Sequence, residues 1–164
     1  MKDPLLEKSL EQVKEFHKTF GHPVRTKPTL IPAERANLRV ALIQEELDEL
    51  KEAIFNEDIV GIADALTDLQ YVLNGAYHEF GLANLKALLF LEVHNSNMSK
   101  LCNNVYEAQD YIDNTTTEDG PTAEYEVLDN GKAVLYSTEP HNQGKILKSP
   151  HYFKPNLKIF LKNE

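Results

Sequence analysis

Two long helical patterns, separated only by Asn56, Glu57 and Asp58 and both loaded with carboxylates, constrain this chain more than any other feature. The first carries Glu45-Glu46-Leu47-Asp48-Glu49 and the second Asp64-Ala65-Leu66-Thr67-Asp68. Pro32 starts a predicted helix that runs to about Phe55, with Ile43, Leu47, Leu50 and Ile54 as its apolar stripe. On a wheel of 3.6 residues per turn, Glu46 lies roughly 60° from the middle of that stripe, Glu49 further round on the same side and Glu45 further still. Glu46 and Glu49 are therefore neighbours beside the core, where a purely solubilising glutamate is uncommon. The next helix is predicted from about Asp58 to Phe80, with Gly81 as its stop. Ile59, Ile62, Ala65, Leu66, Leu69, Val72, Leu73, Ala76 and Tyr77 take up most of its circumference and predict neighbours on more than one side. The strip that remains holds Gly61, Asp64, Asp68, Tyr71 and Gly75. Asp64 and Asp68, at i and i+4, repel one another, and a cation would compensate.

The rest of the chain reads around that pair. Asp3-Pro4 predicts the start of a first helix, with Leu6, Leu10, Val13, Phe16 or His17, and Phe20 at helical spacing and Gly21 as its end. Phe16, His17 and Phe20 are expected to pack in the core rather than to form a base-stacking shelf. Prolines 23 and 28 make the following connection extended. A fourth helix is predicted from Leu82 to about Leu101, apolar in its first half and polar over Glu92 to Lys100; that polar density predicts a specific role or a fraying end. A short helix over Val105 to Ile112 follows. Strands 124–128 and 132–136 flank Asp129-Asn130-Gly131 as a β-hairpin, and an extended piece from Lys145 to Tyr152 leads to a short apolar tail, Leu157 to Leu161. The expected architecture is all-α: an antiparallel four-helix bundle over residues 1–101, with a small C-terminal appendage over 102–164 containing the hairpin. Lid, interface and plain appendage are all open for the hairpin.

Composition narrows the chemistry. A formal net charge of -9 over 164 residues argues against a nucleic-acid polymer as partner, since such binders need basic surface. No stretch is long enough to span a membrane, and the N-terminus lacks the order of a signal peptide. The single cysteine, Cys102, excludes an intrachain disulfide framework and suits a reducing compartment, so the expected location is cytoplasmic. An all-oxygen carboxylate set suits Mg²⁺ or Mn²⁺ rather than zinc. A di-iron bundle needs Glu-x-x-His on two helices, and no histidine here has a glutamate three residues before it. No Gly-x-x-x-x-Gly-Lys loop is present. Glu-Glu-x-x-Glu alone is most often a solvated face; the second carboxylate pair on the next helix raises the metal reading to parity with it. His94, Asn95 and Asn97 taken singly read as a helix end, and Lys100 and Lys148 as surface lysines.

Jointly, these motifs have a likeness. Glu45-Glu46-x-x-Glu49 followed by Asp64-x-x-x-Asp68 resembles the all-α nucleoside triphosphate pyrophosphohydrolases, a superfamily of MazG-like enzymes, dimeric dUTPases and phosphoribosyl-ATP pyrophosphohydrolase. Residues 63–72 are similar to the metal-binding third helix of the phosphoribosyl-ATP branch, residues 92–100 to its downstream signature, and residues 145–153 to its C-terminal Lys-x-Pro-x-Tyr-type segment. The resemblance implies a homodimer or higher homo-oligomer and Mg²⁺-dependent cleavage of a nucleoside triphosphate to monophosphate and pyrophosphate, with nucleotide-pool clearance as its role. It implies Glu46, Glu49 and Asp68 as metal ligands, with Asp64 as a further ligand or a group behind them. Glu45 would bind metal or orient the attacking water, and Asn95, Asn97, Lys100 and Lys148 would contact phosphate or sugar. Where the MazG-type second motif has glutamate this chain has Ala65, with Asp64 one residue earlier. Phosphoribosyl-ATP hydrolysis and non-catalytic nucleotide binding on the same scaffold are the alternatives.

Overall fold

The computed structural model describes residues 4–118 and 120–161, with residues 4–7 described by backbone alone. Asp3 and the side chain of Leu6, expected in the first helix, lie outside the described residues. In chain order the elements are α1 (Pro4–Thr19), α2 (Ala33–Phe55), α3 (Ile59–Glu79), a 3-10 turn (Ala83–Leu85), α4 (Lys86–Met98), α5 (Val105–Thr115), β1 (Ala123–Val127), β2 (Ala133–Ser137) and a second 3-10 turn (Leu157–Ile159). The fold is thus mostly helical, with a two-stranded antiparallel hairpin towards the C-terminus. It divides into two compact units, one reaching to Ala87 and one from Leu88 to Phe160. Within the first unit α1 and α2 both pack on α3, and α4 falls in the second unit from Leu88 onwards, so the expected four-helix bundle is not shown.

In the first unit α2 ends at a tight reversal. The Glu57 N–H donates to the Ile54 carbonyl and the Asp58 N–H to that of Ala53, while Glu57 sits at φ 54°, the left-handed position that glycine favours. Asp58 then caps α3 by accepting from the Val60 N–H at 3.0 Å. Gly61 follows because α3 approaches α2 closely there: a Cβ on it would stand 3.1 Å from that of Ala53 and 2.8 Å from Asp58 Oδ2. At the far end of α3 the extended connection runs beside the helix terminus. Arg25 and Thr29 donate their N–H groups to the carbonyls of His78 and Phe80, satisfying acceptors that a helix end leaves open. Gly81, at φ 68°, could not be another residue, since a Cβ would meet the Lys27 carbonyl.

The interior of this unit is unexpectedly polar. His17, Arg39, Asn74, His78 and Glu79 are buried, and Glu79 is 0% exposed. Its carboxylate takes Arg39 Nη2 at 2.7 Å, Arg35 Nε at 3.2 Å and Arg35 Nη2. His22 Nδ1 accepts from both arginines at 3.3–3.4 Å. His17 Nδ1 donates to the Pro23 carbonyl at 3.0 Å and His78 Nε2 to that of Leu10 at 2.8 Å, tying α1 to the cluster. Gly75 is glycine because a Cβ there would lie 2.7 Å from Arg39 Nη1 and 2.9 Å from His17 Nε2. Of the residues expected in the α1 core, Val13 and His17 are buried, whereas Phe16 and Phe20 are exposed. The hydrogen-bonding need of the cluster selects His17 for the inside.

In the second unit Cys102, Ala108, Ala133 and Leu135 form the core, flanked by Tyr111, Ile112, Tyr125 and Leu147. The hairpin pairs Val127 with Ala133 through Ala123 with Ser137. Its second strand is extended on the other side by a bridge from Tyr136 to Ile146. Asn104 caps α5, and Glu107 accepts from the Asn103 N–H at 2.8 Å and pairs with His151 at 3.0 Å. The polar end of α4 has a structural use: Ser96 Oγ donates to the Phe153 carbonyl, Ser149 Oγ to that of Ser99, and the Glu92 carboxylate accepts from the Asn156 N–H. These bonds hold the tail along α4.

Two outcomes follow from the buried cluster. Glu79→Gln leaves two guanidinium groups without their counter-charge and lowers the unfolding free energy by about 3 kcal/mol, read by urea denaturation. Burial holds the His17 pKa below its ordinary 6.5, with the charges of Arg39 and His22 adding to it against the Pro23 hydrogen bond. The unfolded chain then binds a proton that the fold refuses, so stability is lost as pH falls through 6.5. The urea midpoint should drop between pH 7.5 and 5.5, and His17→Asn should flatten that drop; an unchanged slope would remove His17 as its source.

Candidate active site

Glu46 is half-buried on α2, with Glu45 and Glu49 exposed beside it, and Asp68 is half-buried on α3, with Asp64 exposed one turn earlier. The Glu46 carboxyl is pushed up from its ordinary range, by burial first and then by Glu49, Asp68, Glu45 and Asp64 in that order. Two of those carboxylates, Glu45 and Glu49, share α2 with Glu46, and the other two, Asp64 and Asp68, belong to α3. The family motif's glutamate position, Ala65, is 2% exposed and closed against the interior, so the acidic group on this turn is Asp64, on the open side.

None of the five carboxylates has a cation partner among the described residues. The neighbouring Asp48 does: it accepts from Lys51 at 2.7 Å and from Gln44 at 2.9 Å on the outward face of α2, which holds its carboxyl below the usual range. The inward group is left without such compensation. A hollow of about 210 Å³ adjoins it, lined by Glu49, Ala53, Asn56, Gly61 and Asp64 among others. Its oxygen-only donors fit a hard divalent cation. As they stand, no three acidic, histidine or cysteine side chains among the described residues are gathered closely enough to hold an ion. Mutual repulsion opposes such a gathering when no cation offsets it.

The other expected site residues lie in the second unit. Asn95 and Asn97 are exposed on α4, and Lys100 Nζ donates to Asn97 Oδ1 at 2.9 Å. Lys148 Nζ stands 4.6 Å above the Tyr152 ring. The Ser149–Ser99 hydrogen bond puts Lys148 and Lys100 on residues adjoining one contact. The Arg35–Arg39–Glu79 cluster escaped sequence reasoning; its one signal was His78-Glu79 at the buried end of an apolar helix.

Neutralising Glu46 tests the electrostatic account. Glu46→Gln should raise the thermal midpoint of the metal-free protein by roughly 2 °C, because like-charge repulsion is relieved. It should also shrink the rise that millimolar Mg²⁺ produces in the unaltered protein. An unshifted midpoint together with an undiminished Mg²⁺ response would refute a shared cation site.

Residues 13–97 match the sequence profile of a family described as phosphoribosyl-ATP pyrophosphohydrolase. That segment contains the α2–α3 carboxylates, Asn95 and Asn97, and it stops short of Lys100, α5 and the hairpin. The chain is also 25% identical to an uncharacterized protein of Acanthamoeba polyphaga mimivirus, an alignment covering 92% of this chain and 94% of that protein. Among the described residues no helix is long and apolar enough to cross a membrane.

Proposed function

Because this chain belongs to the phosphoribosyl-ATP pyrophosphohydrolase family, part of the MazG-like nucleotide pyrophosphohydrolase superfamily, we propose that it is a Mg²⁺-dependent nucleoside triphosphate pyrophosphohydrolase. The reaction is (d)NTP plus water to (d)NMP plus pyrophosphate. The observation that carries this reading is the uncompensated group of five carboxylates on α2 and α3, inside the matched segment. Glu46, Glu49, Asp64 and Asp68 hold Mg²⁺, with Mn²⁺ as a substitute; the ion supplies charge neutralisation for the triphosphate and acidifies the attacking water. Glu45, exposed at the edge of the group, orients that water. Asn95, Asn97, Lys100 and Lys148 contact phosphate or sugar. The active form is a homodimer or higher homo-oligomer: Phe55 is 87% exposed, Ile59 73% and Val60 74%, more apolar surface around one turn than a chain acting alone would leave in water. Cytoplasmic clearance of non-standard or excess nucleotides is the role that suits it.

The description of the family favours a second reading, in which phosphoribosyl-ATP itself is hydrolysed at the same carboxylates. Pyrophosphate release from a panel of standard and modified (d)NTPs and from phosphoribosyl-ATP separates the two. Release should require Mg²⁺ or Mn²⁺ and fall at least a hundredfold in Glu49→Gln. Release from phosphoribosyl-ATP alone would select the second reading. No release from any of them, with the protein folded and its midpoint raised by Mg²⁺, would mark a non-catalytic nucleotide binder.

A further inference from the structure

Lys86 is the first residue of α4, falls in the first unit and reaches back over α3. It is half-buried. Its Nζ donates to Asn74 Oδ1 and stands 5.3 Å from the centre of the Tyr77 ring. Asn74 is 1% exposed and ties helices together: its Oδ1 also accepts from Gln70 Nε2 at 3.0 Å, and its Nδ2 donates to Ser9 Oγ on α1 at 3.3 Å. Every group in this cluster besides the lysine is neutral. Lys14 and Lys51 sit beside Glu11 at 3.1 Å and Asp48 at 2.7 Å. No carboxylate among the described residues pairs with Lys86.

That setting disfavours a positive charge twice over. A half-buried ammonium loses hydration, and one amide oxygen and a ring face return less than a carboxylate would. The amino end of a helix adds its own positive pole, and Lys86 opens α4. Burial accordingly holds the Lys86 pKa below its ordinary 10.5. A neutral amine can still give one N–H to Asn74 Oδ1, and its lone pair is then left for an electrophile. We propose that Lys86 is a covalent modification site, acylated by small uncharged thioesters. The ammonium first loses a proton to water. The neutral Nζ then attacks the thioester carbonyl carbon, the C–N bond forms as the C–S bond breaks, and a second proton passes from nitrogen to the departing thiolate. The amide that results keeps one N–H for Asn74 Oδ1 and removes the unpaired charge from the cluster. No other cation is bonded into the cluster among the described residues, so nothing there draws a phosphate-bearing donor. The site shares no residue with the α2–α3 carboxylates and does not depend on the pyrophosphohydrolase reading.

The test treats the full chain with N,S-diacetylcysteamine near neutral pH and follows acetylation of each lysine by mass spectrometry of its peptides. Lys132, exposed at the hairpin turn, is the internal standard. Lys86 should acetylate about tenfold faster than Lys132, and the ratio should fall to about one in concentrated urea, where the cluster is gone. Asn74→Asp places a carboxylate beside Nζ and should slow Lys86 about tenfold while Lys132 is unchanged. Should Asn74→Asp fail to fold, thermal midpoints take its place: Lys86→Gln, neutral like the amide product, should raise the midpoint and Lys86→Arg should not. Acetylation of Lys86 no faster than that of Lys132 in the folded protein would overturn the site and leave the lysine a tie between helices. A preference that survives in urea or in Asn74→Asp, or a midpoint lowered by Lys86→Gln, would also overturn it, since the reactivity would then owe nothing to the cluster.

Discussion

The Glu79 carboxylate, withdrawn completely from water and clasped by two guanidinium groups, is the constraint on which the first unit depends. Burial alone would push that carboxyl up; the Arg35 hydrogen bond and the charges of Arg39 and Arg35 reverse the shift and keep it ionised. An unpaired charge in that position would cost several kcal/mol, so the fold is tolerable only with both partners in place. This makes the packing of α2 on α3 directional. Apolar side chains would accept several helix registers, whereas the carboxylate accepts the one that delivers Arg39 and Arg35 together. The consequences spread outward: Gly75 clears room for Arg39, His22 accepts from both arginines, and His17 closes the cluster from α1.

A second anchor stands at the opposite end of the α2–α3 pair, where Gly61 admits Ala53 and the Glu57 reversal fixes the turn. Glu46 is midway between Arg39 and Ala53 along α2, about 10 Å from each. The carboxylate group therefore occupies the stretch between two rigid attachments. Five like charges on adjoining helices would drive a loosely packed pair apart. Held at both ends, the pair stays packed despite that repulsion.

The helices on either side of Asn56–Asp58, the short helix at 105, and the hairpin were legible because each is announced locally: by a proline or aspartate start, a glycine stop, or alternation around Asn130-Gly131. The carboxylates were legible because spacing on a helix fixes direction, and a turn this short leaves adjoining helices little choice but to face each other. What periodicity could not reveal is a polar interior. It counts His17, Arg39 and Glu79 as surface and Phe16 as core, yet a buried charge pairs with residues distant in sequence, here 40 positions from Arg39 to Glu79. The partner of the fourth helix's polar end was illegible for a related reason. Its apolar first half reads as a bundle face, while the serines and glutamate that decide its partner, the tail at 149–156, bond by side chain to backbone and leave no periodic trace.

Charge assignment along the chain bears on how a phosphate-bearing ligand is met. The sequence has only three arginines, Arg25, Arg35 and Arg39, and two of them are committed to Glu79. Arg25 is half-buried beside the α3 terminus, its backbone N–H bonded to the His78 carbonyl. Two of the three planar, two-pronged donors that grip phosphate best are thus spent on structure, and Arg25 Nε is buried with no hydrogen-bond partner among the described residues. For the proposed triphosphate substrate, compensating charge would then have to come from a divalent cation and from lysines, point charges on flexible stems. Residues 140–161 supply Lys145, Lys148, Lys154 and Lys158 with no aspartate or glutamate among them, in a chain whose net charge is -9. That stretch is thus a run of net positive charge in an otherwise acidic chain.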